Sequence, residues 1–220
     1  MASDTLASTD ARAGRLPRVA ALAGAACVVV TFAGISASDV GGNGVNPTMG
    51  PDLIASLLRD HVDGLRTGAS LLSVGALLAV LFAGPLWLAL RQASEWVAAV
   101  GAAGAVLAGA HWLSLATDGI GLATAADLGD GATAQVLVTT GWESARITAV
   151  PSLVMVTAAL VAGFGHGCFP RWYRWFTAAV AVPLVVALAP VGPAGLLGFA
   201  FGGGWLLVTS LLLTVRAPAP

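Results

Sequence analysis

Lysine is absent from this chain, and charge of either sign is scarce. All ten basic residues are arginine, eleven residues are acidic, and the formal net charge is −1. Charged residues make up 10% of the 220, against about 25% in an ordinary soluble domain. A soluble fold this poor in charge could not cover its surface. A near-zero net charge also leaves no basic field to hold nucleic acid. There are only two cysteines, Cys27 in an apolar run and Cys168 in a polar link, so they belong at different depths. That argues against a disulfide and against a thiolate metal site. Aromatics are few, at 7%. The chain has no HExxH, no GxSxG, no P-loop and no aspartate-rich diphosphate motif. No catalytic residue, metal or cofactor is expected, and the balance leans away from an enzyme. Haem is unfavoured too. His111 and His166 should lie roughly 20 Å apart along their helices at about 1.5 Å per residue, too far to clamp one iron.

What the chain does have is apolar length. Hydrophobic residues reach 57%, with 28 glycines. A bilayer span needs about 20 mostly apolar residues. The pattern predicts an all-α bundle of six transmembrane helices at 19–37, 67–90, 96–117, 142–165, 175–188 and 194–215. Residues 1–18 read as a disordered cytoplasmic tail and 217–220 as a second tail, leaving one membrane domain over 19–216. The first segment has a rival reading as a cleaved signal peptide, because Ile35-Ser36-Ala37 loosely resembles a cleavage site, but its hydrophobic region is too long. Pro151 should kink the fourth segment. Pro190, Gly192 and Pro193 should tighten the link between the fifth and sixth. Gly101, Ala105 and Gly109 recur every four residues, a face suited to close helix packing.

Two stretches read as outside loops. In 38–66, Leu53, Ile54, Leu57, Leu58, His61, Val62 and Leu65 share one helical face, which predicts an amphipathic helix lying on the membrane surface, with Pro51 at its first position. In 118–141, a Gly/Ala/Thr-rich lid is expected. Thr133–Thr140 would form a short surface helix capped by Asp130. Arginine placement sets the orientation. With the N-terminus inside, Arg12, Arg15, Arg18, Arg91, Arg171, Arg174 and Arg216 are cytoplasmic, and only Arg59, Arg66 and Arg146 are outside. The positive-inside rule then places both termini in the cytoplasm of a plasma-membrane protein.

Arg18-Val19-Ala20 running into Val30-Thr31-Phe32-Ala33-Gly34-Ile35, the segment end Leu86-Trp87-Leu88-Ala89-Leu90-Arg91, and Phe169-Pro170-Arg171-Trp172 together resemble a large group of uncharacterised bacterial multi-pass membrane proteins. The likeness implies topology and carries no activity.

Few residues could carry chemistry. His111 lies roughly 22 Å along its segment at about 1.5 Å per residue, in the outer third of the bilayer. Ionisable groups at such depth are costly and often functional; the ordinary alternative is a neutral ring bonded to a neighbouring Ser, Thr or carbonyl. Glu143 and Arg146, one turn apart, and Asp118 could join His111 in an outer ligand site, or simply anchor helix ends. The Gly202-Gly203-Gly204 run reads as a packing or flexing point, and Trp172-Tyr173 with Arg171 and Arg174 as an interface anchor. The leading expectation is a non-enzymatic accessory or structural membrane protein. Its partners would be the lipid bilayer and another membrane protein or a second copy, with no nucleic acid. The alternatives are a small transporter or ligand-binding protein using the outer polar residues, and a lipid-acting enzyme. A transporter should bring those polar groups together on a cavity, whereas a packing protein should leave them splayed or capped.

Overall fold

A computed structural model describes residues 3–38, 45–189 and 194–216; the side chains of 3–18, 145–146 and 194–196 lie outside that description. Among the described residues all regular structure is helical: α1 (Ser3–Ser38), α2 (Pro51–Arg59), α3 (Val62–Leu90), α4 (Glu95–Leu128), α5 (Gly131–Ile147), α6 (Ala149–Leu160), α7 (Arg171–Val186) and α8 (Ala194–Arg216), with a π-helical turn at Val161–Gly165. Five helical stretches are long and apolar enough to cross a membrane: Val19–Ser38, Val62–Leu90, Glu95–Leu128, Gly131–Gly165 and Leu197–Arg216. The protein is therefore a membrane-embedded helical bundle.

Six helices close into a ring in the order α1, α3, α4, α6, α7, α8 and back to α1. Glycine sets the close crossings. A Cβ at Gly68 of α3 would sit 2.6 Å from the carbonyl oxygen of Gly34 in α1, and one at Gly75 would sit 2.4 Å from Thr31 Cγ2. The predicted small face of α4 is buried, and it serves both neighbours. Gly109 abuts Ala76 of α3, while Gly104 abuts Pro151 and Met155 of α6. Without a hydrophobic drive between helices in lipid, such close backbone approach supplies the packing.

Polar side chains lock the ring where α8 passes through it. Ser210 Oγ donates to the carbonyl of Ala21 and accepts from Ala25 N at 2.9 Å, inserting into the α1 ladder. Tyr173 Oη, Thr209 Oγ1 and the Trp205 carbonyl form a buried chain with both links at 2.7 Å, and Trp205 Nε1 donates to Thr177 Oγ1 at 3.2 Å. Because Thr209 spends its single proton on Trp205, Tyr173 must be the donor in its own bond. Tyr173 is thus no interface anchor but a fully buried side chain, whereas its neighbour Trp172 is 56% exposed.

Beyond one end of the ring stands a helical cap, which differs most from the expected layout. Residues 118–141 do not form a loop. α4 runs 34 residues to Leu128, about 51 Å at 1.5 Å per residue, well past a hydrocarbon core of about 30 Å. It ends in a Schellman turn: Gly129 adopts φ 69°, its N–H meets Ala126 O at 3.2 Å, and Asp130 N meets Ala125 O at 2.9 Å. Asp130 then caps α5 as expected, accepting from Thr133 N at 3.1 Å. α5, however, begins at Gly131 and runs to Ile147, well past the 133–140 expected. α2 forms as expected, but part of its apolar face packs on protein. Its Ile54 and Leu58 are buried against Leu122, Ala126, Ala134 and Val138 of α4 and α5. Alanine-rich sequence that resembles a loop becomes helical because it forms the floor under α2. The exposed Arg66–Asp127 ion pair, 2.5 Å long, closes the edge of the cap and contributes little in water.

Other boundaries shift as well. α1 starts at Ser3, so the stretch expected as a disordered tail continues the helix; extending an existing helix is cheap compared with nucleating one. α3 begins at Val62, inside the predicted loop. The fifth segment begins early, at Arg171, and α7 has only 16 residues. The expected tight link at Pro190, Gly192 and Pro193, the Gly-rich start of the first loop and the tail 217–220 lie outside the described residues.

Candidate functional site

The helix entering the ring is interrupted where α5 gives way to α6, just before Pro151. Pro151 cannot donate a backbone hydrogen bond. The helix breaks three residues earlier, at Thr148, in line with the predicted kink. Thr148 is 4% exposed, and its Oγ1 shares a 2.7 Å hydrogen bond with His111 Nε2 of α4. The His111 ring stands 5.7 Å from that of Trp112, which in turn lies 5.1 Å from Phe199 of α8.

These residues line a cavity of about 320 Å³ bounded by α1, α4, α6 and α8. Its wall is mostly apolar, including Val28, Ala108, Met155, Phe199 and Leu206. The glycines of α8 make the space. Gly198, Gly202 and Gly203 all face it, and the nearest neighbour of a Cβ at Gly203 would be 3.7 Å away. Gly202 also lets α8 approach α6, since a Cβ there would sit 2.5 Å from Ser152 Oγ. The predicted packing role of the run thus holds for Gly202, while Gly203 leaves room. Phe32 and Ile35 of α1, 72% and 37% exposed, stand on the rim with Ala200 of α8. The cavity therefore opens sideways between α1 and α8.

Its polar groups are neutral and mostly engaged. Thr31 Oγ1 donates to Cys27 O at 2.7 Å, and Cys27 Sγ to Gly75 O at 3.3 Å. Two groups are left over. Ser152, 9% exposed, has no hydrogen-bond partner among the described residues, and neither does Nδ1 of His111. Buried polar atoms are normally satisfied, so an orphan hydroxyl on a cavity wall marks a place for an external partner.

Of the four residues expected to form an outer site, His111 lines this cavity, and neither Asp118 nor Glu143 does. Asp118 is half-exposed, about 10 Å further along α4 at 1.5 Å per residue. Glu143 is exposed on α5, and the Arg146 side chain lies outside the described residues. The structure brings His111 together with Thr148 and Ser152, which sequence reasoning did not single out. The available signal was Pro151. Thr148 and Ser152 flank it one turn apart, on a helix whose ladder the proline interrupts. No group of three metal-ligating side chains occurs among the described residues. No family model matches the chain, and neither a curated protein nor a solved structure matches it.

Proposed function

We propose that this is a non-enzymatic, six-span plasma-membrane protein that binds a neutral, mostly apolar molecule, taken from the lipid phase through the gap between α1 and α8. The carrying observation is the unpartnered Ser152 hydroxyl beside His111 on the wall of an otherwise apolar, laterally open cavity. Its volume of about 320 Å³ falls at the lower end of ligand pockets, which span roughly 300–1,000 Å³. No carboxylate or arginine lines it among the described residues, so a charged ligand would find no partner there at depth, a heavy penalty. One hydroxyl or carbonyl on a long apolar body matches what the wall offers. At about 24 cal/mol per Å³, leaving such a space empty would cost several kcal/mol, so in a bilayer something apolar occupies it.

The sixth span in this reading is α7. Its 16 residues rise about 24 Å, short of a full core, and Trp172 and Trp175 would hold its inner end at the interface. Arg91, Arg171, Arg174 and Arg216 gather at the end of the ring away from the cap, which supports cytoplasmic termini and an outside cap. The 2.7 Å His111–Thr148 bond favours a second reading, an accessory subunit in which the histidine only packs α4 against α6.

A photoactivatable long-chain alcohol, supplied in vesicles, separates the two readings. Adducts should concentrate on cavity residues such as Met155 and Trp112. They should disappear in Gly203→Leu, whose side chain has room to fill the space, and persist in Gly204→Leu, which has no neighbour within 4 Å. Adducts spread evenly over the lipid-facing helices, unchanged by Gly203→Leu, would leave the accessory role standing.

A further inference from the structure

The opposite end of the ring holds a second recess, unconnected to the first in its lining residues. It has a volume of about 540 Å³ and lies between Ala21 of α1, the ends of α3 and α8 and the link before α7. Two guanidinium-bearing residues from different helices line it, Arg91 at the end of α3 and Arg216 at the end of α8, together with Gln92. No carboxylate lines it, and neither arginine has an ion-pair partner among the described residues. The rest of its wall is mostly apolar: Ala21, Pro85, Leu88, Leu213 and Phe169.

We infer that this recess binds a phosphate group carrying net negative charge, presented by an anionic lipid of the inner leaflet. The inference goes beyond the lateral cavity and rests on the membrane-embedded reading and on the orientation proposed above. Several features carry it. Arginine offers a planar fork of donors that matches phosphate bidentately. Two such forks converge on one recess that offers them no carboxylate. Free phosphate would need only the arginines, whereas a lipid also uses the apolar wall at Leu88, one helical turn before Arg91, and at Pro85. A basic pocket of this kind between membrane helices, on the cytoplasmic side, suits an anionic headgroup.

Cys168 provides the readout, because it lines the recess half-exposed, while Cys27 is 1% exposed within the bundle. The full chain in phosphatidylcholine nanodiscs would be alkylated with N-ethylmaleimide, a neutral reagent, and the rate at Cys168 followed by mass spectrometry. Replacing part of the phosphatidylcholine by phosphatidylglycerol should slow the reaction three-fold or more. Arg91→Gln with Arg216→Gln should abolish the protection, and Arg171→Gln, exposed and outside the recess, should leave it intact. Protection by millimolar inorganic phosphate in pure phosphatidylcholine discs would keep the phosphate site but assign it to a free anion. If neither anion slows alkylation, or if Arg171→Gln abolishes the effect equally, no phosphate is held there and general surface charge is at work. Circular dichroism of each variant confirms that the bundle is intact, and because the Gly203→Leu experiment reads a different recess, either result can fail alone.

Discussion

Thr148→Val tests how the ring is held at its proline break. The substitution keeps the side-chain shape and removes the hydroxyl that meets His111 Nε2 at 2.7 Å. Thr148 is 4% exposed, so water cannot replace the lost partner directly. A buried polar group left unsatisfied costs about 1–3 kcal/mol. Hydrogen bonds between membrane helices measure lower, about 0.6 kcal/mol on average and up to about 1.7, because other partners are found. The cavity limits such rescue, since the nearby Ser152 is the only free hydroxyl on its wall among the described residues. A loss of about 1–2 kcal/mol is therefore expected. His111→Phe should cost less through this bond, because an orphaned threonine hydroxyl can turn to the carbonyl one turn earlier in its own helix. The double variant should then be no worse than Thr148→Val alone, giving a coupling of about 1 kcal/mol. The assay is unfolding in mixed micelles by a denaturing detergent, followed by circular dichroism. A neutral Thr148→Val, or strictly additive variants, would refute the idea that this bond ties α4 to α6.

Two further outcomes follow from the helix crossings and the cap. Gly68→Ala forces a Cβ to 2.6 Å from the Gly34 carbonyl and should destabilise by about 1–3 kcal/mol, whereas Gly84→Ala, with nothing within 4 Å, should be neutral or slightly stabilising in the same unfolding assay. Asp130 is held below the usual carboxylate range, first by the Thr133 hydroxyl and then by the Thr133 backbone N–H. Its capping contribution should be fully present above the ordinary aspartate value of about 3.9 and fade as pH falls through the lower folded value. Protection of the amides of residues 131–134 from hydrogen exchange, taken relative to an unstructured peptide at the same pH, should fall only at that acidic end, and Asp130→Ala should lower it at every pH.

Membrane character, helical class and the approximate position of the five long apolar helices were legible in composition and run length, because lipid removes the alternative of a polar surface. Pro151 announced its kink, Asp130 its cap, and Gly101, Ala105 and Gly109 their packing face, since each effect is local to one or two turns of backbone. In the helical cap, α2 and the Asp130 cap were legible, but the helical course of 118–128 was not. Gly-Ile-Gly-Leu-Ala-Thr-Ala-Ala has the composition of a loop, and only the docking of Ile54 and Leu58 makes it worth ordering as helix. Tyr173 shows the same limit. Beside Trp172 and two arginines it has the look of an interface residue, yet the helix turns it inward to Thr209 while Trp172 faces out. Likewise His111 could be placed at depth by counting residues, but its company could not. Which groups share a wall depends on how α1, α4, α6 and α8 cross. Those crossings are set by glycines far apart in the chain, and only the packed ring brings them together around Ser152.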